Sequence, residues 1–136
     1  MGAEFVTGLA EIVIWSRNLE RSLAFYRDLF GLQPMDQTEN VKPRFLRVAE
    51  GTGVVPQMVV LVPHPDPTGA FPAAKTDRPL HHLAFSVERD RYEKLATACR
   101  DAGLEVRGGV HPVLAAVNTF YVDDPDGNEV EVISPA

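Results

Sequence analysis

An internal repeat that spans nearly the whole chain constrains the fold more than any other feature of the sequence. Aligning Glu11 with His82 also aligns Gly31 with Gly103, once a shift of one residue is allowed inside the intervening helix. Each copy starts with an alternating strand, continues with apolar residues at helical spacing, and ends in further short strands. Because the chain contains only two copies, a closed pair of modules is favoured over an open array of repeats. The sequence therefore predicts two βαβββ modules.

The first copy shows clear start and stop signals. Residues 10–15 alternate between two faces, as a half-buried strand does. Asn18 offers a helix cap, and Gly31 offers a left-handed stop, so a helix is expected from about Leu19 to Phe30. Two further short strands are expected around residues 44–48 and 57–62.

The second copy follows a segment rich in proline and glycine, residues 63–79, which predicts a linker. The predicted modules are therefore residues 8–62 and 80–134 of one domain. The second module is expected to contain a strand from His82, a helix over residues 91–102 and a closing hairpin. That hairpin joins strands 118–122 and 129–133 through the turn Asp124-Pro125-Asp126-Gly127.

Strand alternation places three candidate metal ligands on the sheet face that the helices do not cover. The apolar positions of each first and last strand need a helix to cover them, so the opposite face must carry Glu11, His82 and Glu131. By the same alternation His81 is expected to point away from His82. Val13, Trp15 and Phe45 are expected either to supply an apolar wall for a flat ligand or to fill the core.

Composition and charge exclude several classes of partner. The net charge of −6 argues against nucleic acid and anionic membranes, and no apolar run reaches bilayer length. The first residues, MGAEFVTG, match neither a secretion signal nor a myristoylation site. The single cysteine, Cys99, excludes an internal disulfide and is expected to be a packing residue. The sequence predicts a cytoplasmic protein whose partner is a small molecule.

No other catalytic motif competes with metal chemistry. The chain contains no nucleophile elbow, phosphate-binding glycine loop or dinucleotide fingerprint. His64 lies in the proline-rich linker and is expected to be an ordinary loop histidine. Arg44 and Arg47 are expected to be solvated.

Several short motifs occur along the chain: Asn18 to Ser22, Phe25-Tyr26, Leu29 to Leu32, His82 to Val87, and Asp124 to Asn128 with Glu131. Together they resemble the vicinal oxygen chelate superfamily of glyoxalases, extradiol dioxygenases, epimerases and fosfomycin and bleomycin resistance proteins. The resemblance implies an α+β fold in which paired βαβββ modules form a cup-shaped mixed sheet. It also implies metal ligands on the first and fourth strands of each module, at Glu11, Val59 or Val60, His82 and Glu131.

This chain departs from the family pattern at two ligand positions. Glu11 stands where many members have histidine or glutamine, and valine at the fourth position cannot bind a metal. Three protein ligands remain, which resembles the oxygenases rather than the four-ligand glyoxalases and epimerases. One imidazole and two carboxylates suit Fe(II) or Mn(II), with Zn(II) and Mg(II) as alternatives.

A second resemblance, to the extradiol dioxygenase signature, lies near the end of the chain. It implies that His111 and Tyr121 contact substrate or oxygen while Glu131 binds iron. The gap between His111 and Phe120 is about one residue longer than in the signature, and Glu11 replaces a histidine of the usual iron triad.

The predicted function is a divalent-metal enzyme that chelates adjacent oxygens of a small molecule, for example an aromatic diol. Ring cleavage by an extradiol dioxygenase is the first hypothesis. The alternatives are a glyoxalase- or epimerase-type isomerase or lyase, and a drug-binding resistance protein without catalysis. The family pairs its modules within a chain or between two chains, so a homodimer is expected.

Overall fold

The computed structural model describes residues 5–136 and divides into two compact units that meet in sequence between Gly69 and Ala70. Residues 1–4, on which part of the prediction about targeting signals depends, lie outside the described residues. The boundary falls within the proline-rich segment 63–79. That segment also contains a short 3-10 helix, Lys75–Asp77, which its composition did not indicate. In the described part of the chain, no helix has the length and apolar character needed to cross a bilayer.

The first unit contains one four-stranded mixed sheet and one helical segment. Strand β1 runs parallel to β4, and the remaining neighbours are antiparallel, in the order β1-β4-β3-β2. Helix α1 continues directly into a π-helical turn. The bounds are β1 Glu11–Ser16, α1 Leu19–Leu23, π-helix Ala24–Leu29, β2 Gln33–Pro34, β3 Arg44–Thr52 and β4 Val55–Pro63.

The second unit repeats this arrangement. Strand β5 runs parallel to β8, and the sheet order is β5-β8-β7-β6. The bounds are β5 Leu83–Ser86, α2 Arg89–Asp101, β6 Arg107–Gly108, β7 Val117–Asp123 and β8 Glu129–Pro135. The predicted α+β class and the two βαβββ modules are therefore confirmed.

Local signals place the helix ends where the sequence predicts them. The Asn18 side chain accepts a hydrogen bond from the backbone N–H of Arg21 at 3.1 Å, which satisfies one free donor of the first turn. Gly31 and Gly103 follow the two helical segments with φ of 79° and 84°. Only glycine adopts this conformation without strain, so both helices stop there.

Burial follows the strand alternation in both units. On β1, Ile14 is buried, whereas Val13 and Trp15 on the opposite face are about half exposed. On β8, Val130 and Val132 are fully buried. Each sheet therefore has an apolar face that forms its core, and the opposite face of the first sheet exposes Val13 and Trp15.

The hairpin between β3 and β4 depends on two glycines with different tolerances. A Cβ on Gly51 would lie 2.3 Å from the carbonyl oxygen of Val55, whereas a Cβ on Gly53 meets nothing within 4 Å. Both residues have positive φ. We expect Gly51→Ala to lower the free energy of unfolding by about 3 kcal/mol and Gly53→Ala by about 1 kcal/mol, as measured by urea denaturation. Equal losses of unfolding free energy in the two variants would show that the hairpin backbone shifts to relieve the clash at residue 51.

Cys99 lies in the core of the second unit with no exposed surface. Burial raises the pKa of its thiol to about 11. At pH 8 only about one thiol in a thousand is ionised, and reagents have no access. We expect a thiol reagent to modify Cys99 on the order of 100-fold more slowly in the native protein than in concentrated urea. Similar rates in the two states would show that α2 opens readily.

Candidate functional site

Strand register gathers polar residues on the exposed face of the second sheet. Glu131 of β8 lies between Ala84 of β5 and Tyr121 of β7, and Arg107 of β6 pairs with Tyr121 in turn. Paired residues share a face. His82 lies two residues before Ala84 and reaches the same face, although β5 begins only at Leu83. The structure thus brings together three residues that the sequence singles out: His82, Tyr121 and Glu131.

Glu131 is the centre of this group. Its side chain is only 4% exposed, and its Oε1 lies 3.1 Å from His82 Nε2. Its Oε2 accepts hydrogen bonds from Thr119 Oγ1 at 2.5 Å and Tyr121 OH at 3.0 Å. One carboxylate oxygen is therefore held by two hydroxyls, and the other faces the imidazole. Sequence reasoning missed Thr119, although its spacing of two from Tyr121 places both on the same strand face.

Hydrogen bonding favours the ionised form of the Glu131 carboxylate. Burial on its own raises the pKa of Glu131, but the hydrogen bonds from Thr119, Tyr121 and His82 outweigh it and the pKa is lowered. Burial, followed by the hydrogen bond to the Glu131 carboxylate, raises the pKa of Tyr121. At neutral pH the site therefore holds a buried carboxylate beside a protonated phenol. A buried carboxylate whose partners here are two hydroxyls and an imidazole suits a cation.

The prediction that His81 points away from His82 is wrong. The two Nδ1 atoms lie 2.8 Å apart, and the ring centroids are 5.0 Å apart in an edge-to-face arrangement. The prediction assumed that the strand begins at His82. Because β5 begins one residue later, strict alternation does not apply to this pair.

The spacing of His82 and Glu131 fits a metal ion. Two donors that meet an ion at right angles, each about 2.1 Å from it, lie about 3 Å apart. The observed distance between Nε2 and Oε1 is 3.1 Å. One imidazole nitrogen and one ionised carboxylate oxygen form a donor pair that divalent first-row metals accept. His82 and Glu131 therefore fit a divalent first-row metal ion.

Glu129 is a poorer candidate ligand, although a potential ligand atom from each of His81, His82 and Glu129 lies within 4.8 Å of the others. Its Oε1 accepts from Lys75 Nζ at 2.6 Å, and its Oε2 accepts from Arg107 Nη2 at 3.3 Å. Each oxygen of Glu129 already faces a cation. Bringing a metal ion to this carboxylate would require displacing one of them.

Glu11 lies in the first unit, exposed on β1. Register identifies the missing fourth ligand position, because Val13 pairs with Val60 as Ala84 pairs with Glu131. Of the two valines considered, Val60 therefore corresponds to Glu131. That Glu11 joins His82 and Glu131 around one metal ion stays a prediction.

His111 precedes β7 in a loop and is held by local contacts. Its Nδ1 accepts from the backbone N–H groups of Val113 at 3.2 Å and Leu114 at 3.0 Å. A neutral imidazole that accepts at Nδ1 carries its proton on Nε2. His111 can therefore donate a hydrogen bond from Nε2. Its predicted contact with substrate stays a prediction, as does that of Tyr121, whose hydroxyl proton is already directed at Glu131.

The turn that precedes β8 is fixed by a buried carboxylate. Asp124 Oδ1 accepts from the backbone N–H groups of Asp126 at 2.9 Å and Asn128 at 2.8 Å. Its Oδ2 accepts from the Asn128 side chain at 2.9 Å. These bonds, with Gly127 at a φ of 84°, set the hairpin register that places Glu131 opposite Tyr121.

Comparison with known sequences gives two matches over most of the chain. A model of the Glyoxalase/Bleomycin resistance protein/Dioxygenase superfamily matches residues 8–132. A catechol-2,3-dioxygenase of Bacillus subtilis (strain 168) is 32% identical over 127 residues, which are 92% of this chain and 40% of the dioxygenase. The chain thus spans about two fifths of the length of that relative.

Solved structures share the fold at low sequence identity. A glyoxalase/dioxygenase from Nostoc punctiforme has a TM-score of 0.75 at 15% identity, covering 100% of this chain and 96% of that one. An integron cassette protein from the mobile metagenome of a Halifax Harbour sewage outfall has a TM-score of 0.68 at 27% identity, covering 95% and 99%. The fosfomycin resistance protein FosX from Listeria monocytogenes, complexed with Mn(II) and sulfate, has a TM-score of 0.68 at 17% identity, covering 97% and 93%.

Proposed function

The chain belongs to the Glyoxalase/Bleomycin resistance protein/Dioxygenase superfamily, and on that premise we propose that it is a divalent-metal enzyme acting on a small molecule with two adjacent oxygens. The observation that carries the proposal is the pairing of His82 Nε2 with Glu131 Oε1 at 3.1 Å, with the other oxygen of Glu131 held by hydroxyls. The pair has the composition and spacing of two adjacent metal ligands.

Each residue has a distinct part in this proposal. His82 and Glu131 bind the metal, and Thr119 and Tyr121 hold the carboxylate in its binding orientation. Glu11 is the proposed third ligand. His111 donates from Nε2 to a substrate oxygen or to dioxygen, because its Nδ1 is occupied by backbone N–H groups.

The reaction that we propose is extradiol ring cleavage of a catechol. The 32% identity to a catechol-2,3-dioxygenase supports it, as does the presence of three rather than four candidate ligands. Bound Fe(II) would supply open positions for the two substrate oxygens and for dioxygen, and a positive charge that favours the deprotonated diol. Ring cleavage needs a redox-active metal, which favours Fe(II) or Mn(II) over Zn(II) or Mg(II).

Oxygen consumption tests this reaction. Protein loaded with Fe(II) without air should consume one dioxygen per catechol when oxygen is admitted, and mass spectrometry should find a product heavier than the substrate by two oxygen atoms. Resorcinol, whose hydroxyls are not adjacent, is the matched control and should give no uptake. If the protein binds iron but consumes no oxygen with catechol or substituted catechols, ring cleavage is rejected and the metal site stands.

A further inference from the structure

His81 has a contact that the proposed ligand roles do not explain. Its Nδ1 lies 2.8 Å from His82 Nδ1, the ring nitrogen of His82 that faces away from Glu131. Two neutral imidazole nitrogens at this distance form a hydrogen bond only if one carries a proton and the other offers a lone pair. The tautomers of the two rings therefore depend on each other.

The contact permits two tautomeric arrangements of His82. In the first, His81 donates to His82 Nδ1, and His82 Nε2 carries a proton that it donates to Glu131 Oε1. In the second, His82 Nδ1 donates to His81, and His82 Nε2 offers a lone pair. Only the second can bind a metal, because a protonated nitrogen is not a ligand. The heavy-atom positions are the same in both.

His81 is suited to both arrangements because its side chain is exposed. In the first arrangement the proton of His81 is on Nδ1, and in the second it is on Nε2. Neither arrangement then leaves an unsatisfied donor or acceptor between the two rings.

We infer that His81 is a positioning residue that stabilises the metal-binding tautomer of His82 by accepting a hydrogen bond from its Nδ1. This inference rests on the proposed function, because it assigns His82 Nε2 to the metal. It adds a third residue of the second unit to those that orient the proposed ligands, beside Thr119 and Tyr121. An outer hydrogen-bond partner of this kind contributes a factor of about 10 to 100 in metal affinity.

Three variants separate this role from simple packing. His81→Phe keeps a ring beside His82 but has no nitrogen, His81→Ala removes both, and His81→Gln restores a group that can donate or accept. Affinity for Mn(II), measured by equilibrium titration, should fall by about 10- to 100-fold in the Phe and Ala variants and by only a few-fold in the Gln variant. Wild-type affinity in His81→Phe would overturn the inference, because packing alone would then be sufficient.

Nitrogen NMR of histidine-labelled protein gives a second readout that does not depend on activity. It is recorded at about pH 8, above the ordinary pKa of histidine, with Zn(II) as a diamagnetic probe. Without Zn(II), the share of His82 that carries its proton on Nδ1 should be larger in wild-type protein than in His81→Phe, and Zn(II) should raise that share in both. If the share without Zn(II) is equal in the two proteins, the inference fails. If wild-type protein binds neither Mn(II) nor Zn(II), the proposed function itself fails.

Discussion

Replacing His82 with alanine is expected to lower the affinity for Mn(II) by more than about 100-fold, the upper end of what loss of an outer partner costs. The substitution removes the proposed ligand atom Nε2 and leaves Glu131 Oε1 without the imidazole that faces it at 3.1 Å. Glu131→Gln should have a similar effect, because the amide can still accept from Thr119 but carries no charge. Catechol-dependent oxygen uptake should disappear from both variants. Equilibrium titration and an oxygen electrode measure the two effects.

The matched control is His64→Ala. His64 lies in the loop after β4, where its Nδ1 accepts from the backbone N–H of Asp66 at 2.9 Å and its ring packs edge-to-face on Trp15 at 5.1 Å. It is not a proposed metal ligand, so this variant should bind Mn(II) as wild-type protein does. If His82→Ala binds Mn(II) as tightly as wild-type protein does, the metal is held elsewhere and the assignment of His82 is wrong.

Replacing Asp124 with alanine is expected to lower the free energy of unfolding by about 3 kcal/mol. Asp124 is 5% exposed, and its carboxylate accepts hydrogen bonds from two backbone N–H groups and from the Asn128 amide. Alanine would leave these buried donors without this acceptor. Because a domain of this size is stable by about 5–15 kcal/mol, the loss is a large fraction of the total. Urea denaturation measures it.

Asp123→Ala is the neighbouring control. The Asp123 side chain is 50% exposed and pairs with Arg107 at 2.8 Å, an ion pair on the surface. Such pairs contribute at most about 1 kcal/mol. Equal destabilisation by the two substitutions would contradict the view that Asp124 holds the β7–β8 hairpin together.

Much of the fold follows from signals that are local in sequence. The Asn18 cap, the two glycine stops and the turn after Asp123 are each read from a few neighbouring residues, and the structure agrees at each position. Alternation also predicts correctly that His82 and Glu131 share a face, because both residues belong to or adjoin strands whose order the repeat defines.

Two contacts near the site could not be predicted from the residue pattern of the sequence. The contact between His81 and His82 arises because β5 starts one residue later than expected, and strand ends are the least regular part of a sheet. The ion pair between Lys75 and Glu129 joins residues 54 positions apart, one of them in a short helix within a proline-rich segment. Local spacing does not predict such a pair.

The position of the bound ion would show whether His82 and Glu131 hold the metal. Crystals grown with Mn(II) would locate it by anomalous scattering. We expect a single strong peak about 2.0–2.3 Å from His82 Nε2 and from a carboxylate oxygen of Glu131. A peak that touches neither His82 nor Glu131, or no peak at saturating Mn(II), would contradict the account.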